Sequence, residues 1–169
     1  ERTPLEVARI PNMDRAAQDG LLGQANTVPR RMEPGSDVAT MSLVGYDPDK
    51  YYTGRAPLEA VDMGVELDED QWGFRCNFIT ADSGILQDFC AGHISTEEAD
   101  SLIDALNAKL GSGRVHFHTG TGYRHLMVYR PESHLDIETH PPHQVMGEPI
   151  VDLLPRGKGS ERLIELMKE

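Results

Sequence analysis

The chain has 169 residues, an apolar content of 38% and a formal net charge of −12. This length suffices for one sizeable core, or for one domain with part of another. The acidic balance argues against nucleic acid and acidic membrane surfaces as partners, because both bind a basic footprint. No apolar run approaches the roughly 18 residues of a membrane-spanning helix.

Two cysteines, Cys76 and Cys90, occur without a spacing typical of metal ligands. They favour reduced thiols in a cytoplasmic protein, with a single disulfide as the alternative.

The first 64 residues predict small elements joined by loops. Prolines, glycines and a capping asparagine indicate helices at residues 11–20, 36–44 and 57–63, and residues 23–28 resemble a strand. Glycine, proline and aspartate are dense between these pieces, which is typical of loops that carry function.

The middle of the chain predicts an α+β unit over residues 66–146. Residues 72–80 alternate, with Trp72 and Phe74 on one side and Arg75 on the other, as in a half-buried strand. A capping box of Ser95 and Glu98 begins an amphipathic helix. Residues 114–118 and 123–129 then predict a hairpin.

The rest of the chain predicts less regular structure. Residues 139–143 are too rich in proline for a helix or strand, residues 147–159 resemble a loop, and residues 160–168 predict a final helix.

Ser36 follows a Pro-Gly turn at what the pattern predicts to be the first position of a helix. Backbone N–H groups without partners and the positive end of the helix dipole attract anions there. The local pattern leaves two interpretations open: Ser36 caps the helix, or it accepts a phosphoryl group. In the second case a base or a metal must activate the hydroxyl, and no base lies near it in the sequence.

Three arginines stand beside aromatic residues, and several histidines follow. Arg55, Arg75 and Arg124 together suit the recognition of carboxylate and phosphate by forked hydrogen bonds, although each alone could be an ordinary surface ion pair. His116 and His118 share a strand face and could bind zinc, but no third ligand has a diagnostic spacing. His143 follows two prolines, which suits a rigid substrate contact.

Taken together, an ordered series of short phrases resembles one family, the archaeal-type cofactor-independent phosphoglycerate mutases of the alkaline phosphatase superfamily. The series covers nearly the whole chain: Thr3-Pro4-Leu5-Glu6-Val7-Ala8, Pro11-Asn12-Met13-Asp14, Pro34-Gly35-Ser36-Asp37-Val38-Ala39, Gly45-Tyr46-Asp47-Pro48, Tyr51-Tyr52-Thr53-Gly54-Arg55, Phe74-Arg75-Cys76-Asn77, Gly92-His93-Ile94-Ser95-Thr96-Glu97-Glu98-Ala99, Tyr123-Arg124-His125-Leu126 and Pro141-Pro142-His143.

The resemblance implies an α/β architecture in which a transferase-like α+β sheet domain is inserted into an alkaline-phosphatase-like domain. Residues 1–65 would belong to the phosphatase-type domain, residues 66–146 to the inserted domain, and residues 147–169 to the return into the first domain.

The resemblance also implies a reaction, the interconversion of 3-phosphoglycerate and 2-phosphoglycerate in glycolysis. Ser36 matches the serine that is transiently phosphorylated and that contacts metal, with two divalent cations, manganese or magnesium, activating it. The arginines Arg55, Arg75 and Arg124, with His125 or His143, would hold the phosphate and carboxylate of this small substrate.

Two alternatives remain at this stage. Some bacterial members of the family have been proposed to be homoserine kinases, so that a related phosphotransferase would share the serine and the metals. A non-enzymatic module that binds small molecules would need neither. The sequence leaves the oligomeric state open.

Family members run to about 400 residues, beyond the size of one compact domain. The strand with a metal-binding aspartate and the remaining aspartate and histidine ligands have no counterpart here, so we expect a fragment that holds no catalytic metal pair.

We therefore predict that the 169 residues alone do not interconvert the phosphoglycerates. The measurement is mutase turnover of the purified chain with added manganese, coupled to enolase. Turnover above the buffer blank would contradict the prediction.

Overall fold

Short helices, most of them begun by proline, form the first of two units into which the chain divides. The computed structural model describes residues 2–169, and the units are Glu1–Tyr52 and Thr53–Glu169. Proline suits the first helical position, since its fixed φ is helical and its missing N–H would have no partner there. The helices of this unit are α1 (Pro4–Val7), α2 (Pro11–Asp19), α3 (Ser36–Leu43) and α4 (Pro48–Tyr51).

The first unit buries little apolar surface. Helices α1 and α2 contain no buried residue, whereas α3 and α4 each bury one, Val38 and Pro48. The helices predicted at residues 11–20 and 36–44 are confirmed. The strand predicted at residues 23–28 is wrong, because that segment has no pairing partner among residues 2–169 and an isolated strand leaves its backbone groups unpaired.

An antiparallel three-stranded sheet organises the second unit. Its strand order is β1-β5-β4, so that β5 lies in the centre. Two small antiparallel sheets of two strands each pair β2 with β3 and β6 with β7. The elements are α5 (Arg55–Asp62), β1 (Trp72–Asn77), β2 (Thr80–Asp82), β3 (Ile85–Asp88), α6 (Thr96–Leu110), β4 (Val115–Thr121), β5 (Arg124–Tyr129), β6 (Asp136–Glu138), β7 (Arg156–Lys158) and α7 (Glu161–Lys168), with 3-10 turns at Pro142–Gln144 and Ile150–Leu153.

This arrangement confirms the mixed α+β prediction, and the two predicted strands at residues 114–129 do form an antiparallel hairpin. The three domain boundaries stay a prediction. None of the helices in residues 2–169 combines the length and apolar character that crossing a bilayer requires.

The central strand divides the core because its side chains alternate between the two faces of the sheet. Met127 and Tyr129 pack with residues of α6 and α7 in one cluster. Leu126 and Val128 pack with Ala56 and Ala60 of α5 in another. We call the side of Leu126 and Val128, on which α5 lies, the α5 face. The side of Met127 and Tyr129 is the α6 face.

Helix α6 begins where the capping box predicts. The Glu98 amide donates to Ser95 Oγ at 3.2 Å, and the Ser95 amide donates to Glu98 Oε2 at 3.2 Å. Two of the amides that a helix leaves without partners are thereby satisfied.

Three predictions for the second unit differ from the structure. Strand β1 ends at Asn77, one residue after which the Phe78 amide still donates to the Tyr123 carbonyl, and the chain begins β2 at Thr80. The sequence did not predict the β2–β3 hairpin. In the structure its two turn residues, Ser83 and Gly84, have positive φ values of 50° and 78°, as a type I′ turn requires. Residues 147–159 are not a loop throughout, since β7 pairs with β6 and a 3-10 turn precedes it.

Helix α5 approaches the sheet closely where β1 carries glycine. A Cβ built on Gly73 would lie 3.3 Å from Ala56 Cβ and 3.3 Å from Leu67 Cδ1. A larger side chain at this position would have to separate the helix from the sheet.

We predict that Gly73→Val destabilises the second unit. Overpacking a core costs about 1–3 kcal/mol, which outweighs the roughly 1 kcal/mol that valine gains from β-propensity. Denaturant unfolding followed by the fluorescence of Trp72, the single tryptophan, measures the change. Gly113→Val is the matched control, because nothing lies within 4 Å of a Cβ there; equal unfolding midpoints for the two variants would contradict the prediction.

Candidate active site

Ser36 is the first residue of α3, and its side chain is exposed. The residue in the capping position is Gly35, and no side chain caps this helix. The interpretation of Ser36 as a helix cap is therefore not supported. Ser36 stands instead in the first turn of α3, where the helix dipole favours an anion.

The start of α3 is held by a neighbour in the same unit. The hydroxyl of Tyr52 donates to a carboxylate oxygen of Asp37, and Val38 is 3% exposed. These contacts fix the first turn of the helix on which Ser36 stands.

Two of the predicted arginines share the α5 face. Arg75 lies opposite Leu126 across β1 and β5, and Arg124 lies opposite Asn77. Paired residues point to the same side of a sheet, so Arg75 and Arg124 are diagonal neighbours there. Arg75 Nε lies 3.2 Å from Glu59 Oε1, and both side chains are largely buried.

The third arginine lies on the helix that covers this face. Arg55 is the first residue of α5 and precedes Glu59 by four residues, so the two occupy one side of the helix. Glu59 contacts Arg75, which places Arg55 about one helical turn from that ion pair. The structure thus places Arg75 and Arg124 on one face of the sheet and Arg55 at the start of the helix that covers this face. Glu59 was not among the predicted residues, although its spacing from Arg55 could have indicated it.

An aromatic group links Arg124 with His143. The Arg124 guanidinium lies 5.5 Å from the ring centre of Tyr123. Phe89 contacts Tyr123 edge to face at 5.8 Å and His143 at 6.3 Å. Cation–π and aromatic contacts of this kind restrain the side chains that they join. His143 lies in the 3-10 turn Pro142–Gln144, in a segment for which the sequence predicted no regular structure.

His125 does not join the arginines. It follows Arg124 on the same strand and therefore points to the α6 face, where it is 1% exposed. Its ring packs 4.6 Å from the ring of Phe78, and Nδ1 accepts a hydrogen bond from the Gly120 amide at 3.2 Å. Burial lowers the pKa of His125, which favours the neutral imidazole.

The His116 and His118 rings contact each other at 4.5 Å on the edge strand β4. Burial, together with the charge of His116, lowers the pKa of His118. No group of three or more His, Cys, Asp or Glu side chains that could hold a metal ion occurs in residues 2–169.

A second polar group lies in the loop after β3 and was missed by sequence reasoning. The carboxylate of Asp88 accepts hydrogen bonds from the Cys90 amide, the Cys90 thiol and the Gly92 amide, at 3.0, 2.9 and 2.6 Å. These hydrogen bonds lower the pKa of Asp88 to about 2, and the bond from the Cys90 thiol has the largest effect. They hold a left-handed run in which Ala91 and His93 have φ of 50° and 60°.

Comparison with known proteins identifies the family. Residues 17–169 match the family model described as 2,3-bisphosphoglycerate-independent phosphoglycerate mutase. A protein of that name from Methanosarcina mazei is 50% identical over 167 residues, which are 99% of this chain and 42% of the relative. A probable member from Geobacter sulfurreducens is 48% identical, over 98% of this chain and 42% of the relative.

Solved structures agree. A cofactor-independent phosphoglycerate mutase from Thermoplasma acidophilum superposes with a TM-score of 0.54 at 31% identity, covering 79% of this chain and 36% of that protein. A protein from Pyrococcus horikoshii gives 0.59 at 33% identity, over 75% and 31%.

The relatives are named as phosphoglycerate mutases, and the fold that this chain shares with the solved structures is mixed α+β. The chain belongs to the 2,3-bisphosphoglycerate-independent phosphoglycerate mutase family, and it spans about two fifths of the length of the curated relatives that it matches.

We predict that the second unit loses stability as pH falls below 6.5, the ordinary pKa of histidine. The folded-state pKa values of His118 and His125 are lowered. At pH values between the folded and unfolded pKa values, the unfolded chain binds more protons than the folded chain. The free energy of unfolding therefore decreases as the pH falls through this range. Above the unfolded pKa these two histidines do not change it.

Denaturant unfolding between about pH 7.5 and pH 5 measures the effect. His125→Asn and His118→Asn should each remove part of the slope. A free energy of unfolding that stays constant or rises as the pH is lowered would refute the prediction.

Proposed function

We propose that the polypeptide carrying this chain interconverts 3-phosphoglycerate and 2-phosphoglycerate through a phosphoserine at Ser36. The observation that carries the proposal is that Arg75 and Arg124 share the α5 face of the sheet, while Arg55 begins the helix that covers it. A substrate with one phosphate and one carboxylate needs several forked donors, and an acidic chain with net charge −12 must gather them locally.

Ser36 is the proposed phosphoryl acceptor. The bond from phosphorus to the 3-oxygen of the substrate breaks as a bond to Ser36 Oγ forms, and the serine proton ends on the departing oxygen. The reverse step returns the phosphoryl group to the 2-hydroxyl and restores the serine. The uncapped start of α3 supports this role, because amides there can donate to phosphate oxygens.

The arginines are proposed to bind the anionic groups of the substrate. Arg75 Nε forms an ion pair with Glu59 Oε1 at 3.2 Å but no hydrogen bond, so Glu59 can orient the guanidinium while its N–H donors remain for a ligand. Arg124 is restrained by Tyr123, and His143 lies at the other side of Phe89. We assign the carboxylate or phosphate contacts to these side chains. We do not assign one to His125, which is buried on the other face.

The resemblance implies two divalent cations. Residues 2–169 contain no group of three His, Cys, Asp or Glu side chains that could hold one. Ser36 alone would supply an oxygen, and its neighbour Asp37 is engaged by Tyr52. We propose that manganese or magnesium ions, held largely by residues outside this chain, would activate the serine in the complete enzyme. Free Cys76 and Cys90 support a reducing, cytoplasmic setting.

The test is a comparison of Ser36→Ala with Ser42→Ala in the complete polypeptide, assayed with manganese, 3-phosphoglycerate and an enolase couple. Loss of the nucleophile should lower turnover by more than about a thousandfold. Ser42, on the same helix, controls for damage to α3. Labelled phosphate from the substrate should appear on Ser36 by mass spectrometry.

A second assay supplies homoserine and a phosphoryl donor. Phosphorylation of homoserine without mutase turnover would replace the proposal by a homoserine kinase. Full mutase turnover in Ser36→Ala would contradict the role of the serine.

A further inference from the structure

The turn between β4 and β5 is held from three sides. The Gly120 amide donates to His125 Nδ1 at 3.2 Å, and the Gly122 amide donates to Thr96 Oγ1 at 3.0 Å. The Tyr123 carbonyl accepts from the Phe78 amide at 2.9 Å. The side chain of His125 is thus one of the groups that set the path of the chain into Arg124.

Gly120, at the β4 end of this turn, lies close to the backbone of Arg124. A Cβ built on Gly120 would come within 2.1 Å of the Arg124 carbonyl oxygen. The strand register shifts between His118 and Thr121, which marks a bulge. The extra residue lies on β4, opposite His125, so the hydrogen bond from the Gly120 amide to His125 Nδ1 fixes the bulged strand beside Arg124.

The imidazole of His125 is suited to this task and to little else. It is 1% exposed and packs against Phe78. Because Nδ1 accepts a hydrogen bond, the neutral ring carries its proton on Nε2, and Nε2 has no hydrogen-bond partner among the described residues. An unsatisfied buried donor is unfavourable. An apolar side chain would avoid that cost, so the Gly120 bond is the contribution that distinguishes histidine here.

We infer that His125 is a positioning residue: from the α6 face, it holds the β4–β5 turn so that Arg124 meets the substrate on the α5 face. This inference rests on the proposed function, in which Arg124 binds an anionic group of phosphoglycerate. It replaces the prediction of direct substrate contact by His125 with an action through the backbone.

The experiment compares His125→Asn with His125→Gln in the polypeptide used for the mutase assay. The asparagine oxygen can take the place of Nδ1, whereas the glutamine amide reaches toward the place of Nε2. His125→Gln should raise KM for 3-phosphoglycerate about tenfold, the effect of one weakened charge-assisted hydrogen bond, with a smaller change in kcat. His125→Asn should restore most of the affinity.

Nuclear magnetic resonance supplies a readout that needs no turnover. In the wild type, a coupling across the hydrogen bond should join the Gly120 and His125 Nδ1 nitrogens, and the Tyr123 ring should shift the Arg124 side-chain signals. His125→Gln should move those Arg124 signals and speed exchange of the Gly120 amide, and His125→Asn should preserve both.

The outcomes separate the two proposals. Absence of wild-type mutase turnover rejects the proposed function, while the coupling and the Arg124 signals still decide whether His125 positions Arg124. Equal KM values and unchanged Arg124 signals in both variants overturn the inference. If His125→Gln does not fold, absence of the coupling in the wild type overturns it, and its presence with near wild-type KM in His125→Asn supports it.

Discussion

The close packing of α5 on the sheet is the constraint on which the candidate substrate site depends. Gly73 leaves room for Ala56, and the buried Ala60 continues the same small-residue contact one turn later. At this distance Glu59 reaches Arg75 on β1. The ion pair is largely buried, so its value lies in fixing where the guanidinium stands more than in net stability. A wider gap would move Glu59 away from Arg75 and leave the guanidinium without its ion pair.

The alternation of β5 divides two roles between adjacent residues. Arg124 is exposed on the α5 face, while His125 lies in the core beneath α6. A strand gives such neighbours opposite surroundings because its side-chain period is two. The charged residue therefore remains accessible to a ligand, and its neighbour can act only through packing and the backbone.

The two units contribute different chemistry. The first presents Ser36 on a short helix with few buried residues around it, and the second carries Arg75 and Arg124 on a sheet with a hydrophobic cluster on each face. Rigid elements carry the residues proposed to bind the substrate, which preorganised recognition requires. The matching relatives of this mutase family are more than twice as long as this chain. A chain that carries only some of the residues of a complete site is consistent with that difference in length.

The sequence by itself determined the elements whose signals are local: the capping box at Ser95, the start of α3 at Ser36, and the hairpin that ends at Tyr129. The ordered motifs also determined the family. Tertiary structure alone decided that residues 23–28 form no strand, that β6 pairs with β7, and that Glu59 contacts Arg75. Capping and turn signals act over a few residues, whereas strand pairing and ion pairs depend on partners distant in the chain. The same reason explains His125, whose motif indicated a site but whose hydrogen bond and burial assign it to the core.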